Sequence, residues 1–293
     1  MIRLALAAAG IAAVAFVTMF AVHAQPQRVV TQAGPVAVEA VAGGLVNPWG
    51  MAFLPDGRML VTERPGRLRI VGREGSLSRP LAGTPEVVAQ GQGGMLDVAL
   101  DPDFQNNHMV YLSYSEAGPG GASTALGRGR LGDDRIEGFA VIFRQEPKVP
   151  GPNHFGGRIV FAADGTLFLT TGERFKFGPA QDLESHLGKI IRLNPDGSLP
   201  RDNPFARRQG AKPEIWSYGH RNIEAAAINP QTGALWIGEM GPKGGDELNL
   251  PEPGRNYGWP LVSWGTHYDG TPIANPPTRP DLADAIKQWT PVI

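Results

Sequence analysis

Met51-Ala52-Phe53-Leu54, then Pro55-Asp56-Gly57, then Met59-Leu60-Val61-Thr62: in this stretch two short apolar runs flank a tight reversal. Short apolar runs bounded by turn formers read as strands. The Pro-Asp-Gly between them suits a hairpin, because proline pre-sets one turn residue and glycine accepts the left-handed one. The unit returns three times. Val98-Ala99-Leu100 leads through Asp101-Pro102-Asp103 to Met109-Val110-Tyr111-Leu112. Ile159-Val160-Phe161 leads through Asp164-Gly165 to Leu167-Phe168-Leu169-Thr170, and Ala225-Ala226-Ala227-Ile228 leads through Pro230-Gln231-Thr232-Gly233 to Ala234-Leu235-Trp236-Ile237. Each is expected to be a tightly turned hairpin.

Further strand-like runs, Arg67-Leu68-Arg69-Ile70-Val71 and Lys189-Ile190-Ile191-Arg192-Leu193, fill the gaps between these units. Long helical periodicity is hard to find. The 39 glycines and 27 prolines are spread along the chain, which suits many short elements joined by turns rather than disorder. A recurring multi-strand unit is the mark of a propeller blade. The fold expectation is therefore all-β, a β-propeller. The alternative is an irregular sandwich whose hairpins recur by coincidence.

The N-terminus reads as a secretion signal. Arg3 supplies a positive start, the run from Leu4 to Val22 carries no charge, and Val22-His23-Ala24 has the small-x-small form of a cleavage site. A retained membrane anchor is the competing reading. Residues 1–24 are thus expected to be a signal peptide cleaved after Ala24. Residues 25–293 would be one propeller domain in the periplasm or outside the cell, without stable membrane insertion. Loss of Arg3 takes the formal charge from −1 to −2, a balance that argues against nucleic acid as a partner. With no cysteine, an exported chain must be stabilised by its core or by a metal rather than by disulfides.

At the other end, residues 271–280 are proline-rich. Asp281 to Lys287 is expected to form a short helix, and Trp289-Thr290-Pro291-Val292-Ile293 reads as a strand entering another blade. The expectation drawn from this is a propeller whose last blade or blades are missing from the chain.

Polar clusters sit beside the strands. Asn153-His154-Phe155-Gly156-Gly157-Arg158 places an imidazole where paired glycines let backbone approach a ligand, and a near-neutral pKa suits a general base. Ser217-Tyr218-Gly219-His220-Arg221-Asn222 offers the planar donor fork of Arg221, or merely a hydrogen-bonded connection. Glu239-Met240-Gly241-Pro242-Lys243-Gly244-Gly245-Asp246-Glu247 has the hard-oxygen character that calcium prefers, though without EF-hand spacing. Gly91-Gln92-Gly93-Gly94 approaches a strand but is no phosphate loop. Trp49, Trp216, Trp236, Trp259 and Trp264 offer stacking surface for a sugar or cofactor, or core. No Gly-x-Ser-x-Gly elbow, no His-Glu-x-x-His helix and no Gly-x-Gly-x-x-Gly strand–helix unit is present.

In their order and spacing, these segments, with Asn47-Pro48-Trp49-Gly50 and Asn256-Tyr257-Gly258-Trp259-Pro260, resemble the soluble aldose sugar dehydrogenases of the glucose/sorbosone dehydrogenase family. The resemblance runs from about Leu45 to Tyr268. It implies a six-bladed propeller, with pyrroloquinoline quinone (PQQ) over the central channel and Ca2+ beside it. It implies oxidation of the anomeric hydroxyl of an aldose to a lactone, with a separate electron acceptor. By the same resemblance His154 is the base that takes the hydroxyl proton while hydride passes to the quinone. Arg221, Asn222 and Gln92 match positions that contact the quinone, and Tyr268 a cofactor-contacting tyrosine. Gly241 and Pro242 match carbonyls beside the calcium, Glu247 and the Tyr257 carbonyl match calcium-holding positions, and Asp246 is a further metal candidate. Cationic residues of the family's later blades, which grip the quinone carboxylates, would lie beyond Ile293, so weak quinone binding is expected. The readings set against this are a calcium-dependent lactonase-type propeller hydrolase and a non-catalytic propeller that binds a sugar or a partner protein.

Overall fold

The computed structural model describes residues 27–291. The expected signal peptide lies outside the described residues. Strands dominate, and helix is confined to single short turns. After an exposed hairpin of β1 (Gln27–Thr31) and β2 (Gly34–Val38), four antiparallel sheets follow in chain order. The first holds β3 (Pro48–Phe53), β4 (Met59–Glu63) and β5 (Arg67–Val71). The second holds β6 (Met95–Leu100), β7 (Met109–Gly118), β8 (Gly121–Leu131) and β9 (Ile136–Arg144). The third holds β10 (Gly156–Phe161), β11 (Leu167–Thr171), β12 (Lys189–Leu193) and β13 (Ile215–Tyr218). The fourth holds β14 (Ile223–Ile228), β15 (Leu235–Glu239), β16 (Asp246–Asn249) and β17 (Lys287–Trp289). Each sheet is a meander of neighbouring strands, and β3, β6, β10 and β14 lie against one another in that order. This is a propeller-like arrangement of four sheets with the first strand of each innermost.

The period-two alternation of side chains holds the sheets face to face. Val110 and Leu112 on β7 pack into a core shared with Leu60 and Leu68 of the first sheet, whereas Tyr111 between them packs with Ile159, Leu167 and Leu169 of the third. Phe168 on β11 turns the other way, into a core with Ile223, Leu235 and Ile237 of the fourth sheet. The middle strands β11 and β12 are buried on both faces: β11 reads as an unbroken apolar and Thr run, as a sandwiched strand should, whereas β12 buries Lys189 and Arg192 beside its apolar residues.

All four sequence units fall on the first and second strands of the four sheets. Gly57, Gly165 and Gly233 turn three of them with φ of 84°, 84° and 72°. The connection after Asp101 is not a tight reversal: it winds through a helical turn at Phe104–Asn107 that ends on His108 at φ 53°. No helix forms over Asp281–Lys287: a 3₁₀ turn at Pro276–Thr278 precedes it, and residues 281–286 stay irregular. In the closing run, Lys287–Trp289 is the fourth strand of the fourth sheet, paired with β16, and Val292-Ile293 of the expected next strand lie outside the described residues. Gly127-Arg128-Gly129-Arg130-Leu131-Gly132 has a dinucleotide-like glycine spacing, but residues 127–131 lie within β8 and no helix follows. Among the described residues no helix is long and apolar enough to cross a membrane.

Candidate active site

The segments that lead into the inner strands meet at one end of the assembly. His154 stands two residues before β10, Arg221 and Asn222 stand directly before β14, and Gln92 stands three before β6. Gln92 Oε1 accepts the N–H of His154 (2.6 Å), and Asn222 Oδ1 accepts that of Gly156 (3.0 Å). The Glu173 N–H donates to the Arg221 carbonyl (2.9 Å). Packing here is close enough that a Cβ on Gly172 would collide with the His154 carbonyl and stand 2.9 Å from Asn222 Oδ1.

His154 is buried, with its Nδ1 2.6 Å from Glu173 Oε1. Glu173 is fully buried, and its Oε2 accepts the N–H groups of Lys176 and Phe177. A carboxylate only accepts, so the proton between the two side chains belongs to Nδ1, and Nε2 is left as the basic nitrogen. Nε2 takes no hydrogen bond among the described residues. Burial holds the His154 pKa below its usual value, the Arg221 cation adds to that, and Glu173 opposes it. The imidazole is therefore neutral and proton-accepting at neutral pH.

Backbone strain surrounds it. His154, Arg174, Phe175 and Phe177 adopt φ of 55°, 61°, 58° and 62°, the left-handed region that non-glycine residues avoid at about 1–3 kcal/mol each. Arg174 holds this loop in place. Its guanidinium lies 3.5 Å from the Phe155 ring centroid, Nη2 donates to the Gly151 carbonyl (2.5 Å), and its N–H donates to the His154 carbonyl (3.2 Å). Burial without a carboxylate partner brings its pKa down to about 10.

Arg221 is buried beside a narrow cleft. Nη1 donates to the carbonyls of Gly241 (2.8 Å) and Met240 (3.1 Å), and Nη2 to the Tyr268 hydroxyl (3.0 Å), while Nε is enclosed without a partner. Its guanidinium lies 5.3 Å from the Trp259 ring and 5.6 Å from that of Tyr268. Phe175 packs edge-on to His154 and stacks with Tyr268, so an aromatic rim joins the base to the arginine.

Gly241, Pro242, Glu247 and Tyr257 line the cleft with Arg221, and Glu239 joins them. Glu239 and Glu247 are cross-strand partners on β15 and β16. Glu239 is engaged by His220 Nδ1 (2.9 Å) and by the Arg221 N–H; Glu247 accepts only from Asn249 (3.1 Å). Burial, with the Glu239 charge added, pushes the Glu247 pKa well above the carboxylate range. A buried and a half-buried carboxylate facing each other without a lysine or arginine suit a hard divalent ion. No group of three or more metal-ligating side chains exists among the described residues, so such an ion would also need backbone carbonyls and water.

The structure thus brings His154, Gln92, Arg221, Asn222 and Tyr268 together, with Gly241, Pro242, Glu247 and Tyr257 next to Arg221. Asp246 does something else. One residue from Glu247 on the same strand, it does not line the cleft, and its Oδ1 accepts the Gly241 N–H (2.8 Å). The Tyr257 hydroxyl is committed to the Leu250 carbonyl, so only its backbone or ring is available to the cleft. Glu173, Glu239 and the rim residue Phe175 carry parts of the site that motif reading left unassigned. The signal was present, because Glu63, Glu173 and Glu239 each follow the second half of an apolar–turn–apolar unit within three residues.

A glucose/sorbosone dehydrogenase domain matches residues 45–293. The chain is 51% identical to the aldose sugar dehydrogenase YliI of Escherichia coli over 242 residues, 81% of this chain and 65% of that protein. It is 30% identical to quinoprotein glucose dehydrogenase B of Acinetobacter calcoaceticus, over 81% of this chain and 55% of that one. The chain therefore spans a little under two thirds of the length of the first of these relatives. Among solved structures it is similar to the apo form of the soluble E. coli aldose sugar dehydrogenase (TM-score 0.83, 47% identity, 85% of this chain and 74% of that one). It is also similar to the PQQ-bound aldose sugar dehydrogenase of Streptomyces coelicolor (TM-score 0.72, 34% identity, 85% and 70%).

Proposed function

The chain belongs to the glucose/sorbosone dehydrogenase family, and on that premise we propose that it acts on aldose sugars as a quinone-dependent, calcium-assisted dehydrogenase producing the lactone. The observation that carries the reading is the buried His154–Glu173 pair opening towards Arg221 and Asn222. When bound, pyrroloquinoline quinone supplies the two-electron acceptor for the anomeric hydride. The protein supplies the rest. His154 Nε2 takes the proton of the anomeric hydroxyl, without which the hydride cannot leave readily. Glu173 holds the ring in the required tautomer and stabilises the imidazolium that forms. Arg221 places a fixed positive charge where negative charge develops, in a site with little water.

Asn222 and Gln92 shape the floor, and the rim of Phe175 and Tyr268 offers aromatic faces to a sugar ring. Glu247 and Glu239, with the Gly241 and Pro242 carbonyls, would hold Ca2+ next to Arg221. Electrons leave to a separate acceptor. Export to the periplasm or beyond follows from the signal-like residues 1–24.

The test is quinone binding by absorbance or fluorescence, followed by bleaching on addition of an aldose in the presence of Ca2+. His154→Gln should retain the quinone and lose bleaching by about 10²–10⁴-fold. Ca2+-dependent lactone hydrolysis that needs no quinone would favour a hydrolase, and sugar binding unchanged by His154→Gln without bleaching would favour a non-catalytic binder.

A further inference from the structure

Each inner strand has one position where its ladder to the second strand slips. Gly50, Asp97, Arg158 and Glu224 stand immediately before the residues where pairing resumes, Met51, Val98, Ile159 and Ala225. These equivalent positions converge. Arg158 donates Nη1–H to Asp97 Oδ1 (3.3 Å) and Nε–H to the Glu224 carbonyl (2.7 Å), and its guanidinium lies 4.1 Å from the Trp49 ring centroid. The remaining position is glycine because a Cβ on Gly50 would stand 2.5 Å from Asp97 Oδ1. One arginine thus joins all four inner strands.

The Glu224 carboxylate is not spent on Arg158. Its Oε1 accepts Nδ2–H of Asn222 (2.8 Å), and no cationic side chain pairs with it among the described residues. At the other end of the fully buried Asn222, Oδ1 accepts the N–H of Gly156, two residues past His154. A carboxylate has no proton to give, so it admits only the nitrogen end of the amide. The second Nδ2 proton has no acceptor among the described residues, a donor left for a ligand oxygen in a dry site. Glu224 also faces His154 electrostatically, favouring its protonation together with Glu173 and against Arg221.

Resting on the dehydrogenase reading, we propose that Glu224 is a positioning residue of the redox site. It fixes which end of the Asn222 carboxamide faces the cofactor and ties that side chain to the strand that presents His154. A reversed amide would set its oxygen against the Glu224 carboxylate and leave the Gly156 N–H unmet.

The experiment compares Glu224→Ala and the isosteric Glu224→Gln in the full chain without cofactor. It follows the Asn222 side-chain amide and the His154 ring nitrogens by NMR, with thermal unfolding as the folding control. In Glu224→Ala, exchange of the Asn222 amide protons should quicken about tenfold or more, and the quinone dissociation constant should rise roughly ten- to hundredfold. In Glu224→Gln, which keeps an acceptor and drops the charge, binding should stay within about threefold of the parent, a fraction of one hydrogen bond. The His154 titration midpoint should fall in both. An unmoved His154 midpoint together with unchanged Asn222 amide signals overturns the proposal, and Glu224→Gln decides it if Glu224→Ala does not fold. Failure of the parent chain to bind quinone overturns the dehydrogenase reading, while the two cofactor-free readouts still decide the role of Glu224.

Discussion

Glu63 ends the second strand of the first sheet and Glu173 stands two residues past that of the third, and each ties down the loop entering its own first strand. Glu63 accepts the N–H of Val46 (2.5 Å) and is paired by Arg67 (2.6 Å) and Arg69 (3.3 Å). Glu173 accepts the N–H groups of Lys176 and Phe177 and meets no arginine in a salt bridge; its other oxygen is given to His154. Glu239 repeats the device in the fourth sheet through His220 and the Arg221 N–H. In the second sheet Ser115 does a weaker version, accepting the Gly94 N–H and donating to the Val88 carbonyl. The same brace thus meets arginine in the first sheet and an imidazole in the third and fourth. What changed is the residue presented to the acid: where arginine neutralises it the acid is structural, and where an imidazole faces it the same carboxylate sets a tautomer.

The comparison breaks most cleanly at the acid itself. Glu173→Ala should cut sugar-dependent quinone reduction by about 10²–10³-fold at saturating sugar, measured as single-turnover bleaching, because the imidazole loses its orienting partner. Glu63→Ala should leave that rate within about twofold, since no imidazole depends on it, yet cost about 2–4 kcal/mol in denaturant unfolding by leaving the Val46 N–H and the Arg67 side chain without an acceptor. Equal losses of rate in the two variants would show that Glu173 acts through folding alone.

The facing carboxylates of the fourth sheet sharpen the contrast. A carboxyl whose pKa is raised on folding contributes stability below its unfolded value, near 4.5, and loses it as pH rises towards the folded value. Glu247→Gln should therefore raise the melting temperature of the cation-free protein by about 2–5 °C at pH 8, leave it unchanged at pH 4, and abolish the rise caused by Ca2+. For His154 the sign is opposite. Its pKa is lowered on folding, so it costs nothing above the unfolded value near 6.5 and destabilises as pH falls below it. His154→Gln should flatten the stability loss as pH falls below about 6.5, read from urea midpoints.

The repeat was legible because the inner and second strands keep a clean apolar–turn–apolar grammar, and Arg67–Val71 and Lys189–Leu193 stand out as third strands. The second half of β7 and the whole of β8 were not. Their interior carries Ser113, Ser115, Ser123 and Thr124, all buried, whose hydroxyls bond to backbone: Ser113 to the Gly157 carbonyl (2.5 Å) and Thr124 to that of Phe155 (2.6 Å). Buried hydroxyls erase the hydrophobic alternation from which a strand is recognised. Asp281–Lys287 shows the converse. Its composition suits a helix, yet Lys287–Trp289 pairs with β16, where a sheet edge supplies hydrogen bonds that so short a helix could not match.

The sequence by itself determined that the chain is a repeated β-meander, that it belongs with the glucose/sorbosone dehydrogenases, and which segments carry His154, Arg221 and Asn222. Those conclusions rest on local turn chemistry and on motif order, which are properties of neighbouring residues. Only the tertiary structure decided that Glu173 is the partner of His154, that Asp246 turns away from the cleft while Glu239 enters it, and that Arg158 gathers the four inner strands. Such pairings depend on strand register and on how successive sheets rotate about a shared axis, and a one-residue difference in either moves a side chain to the opposite face.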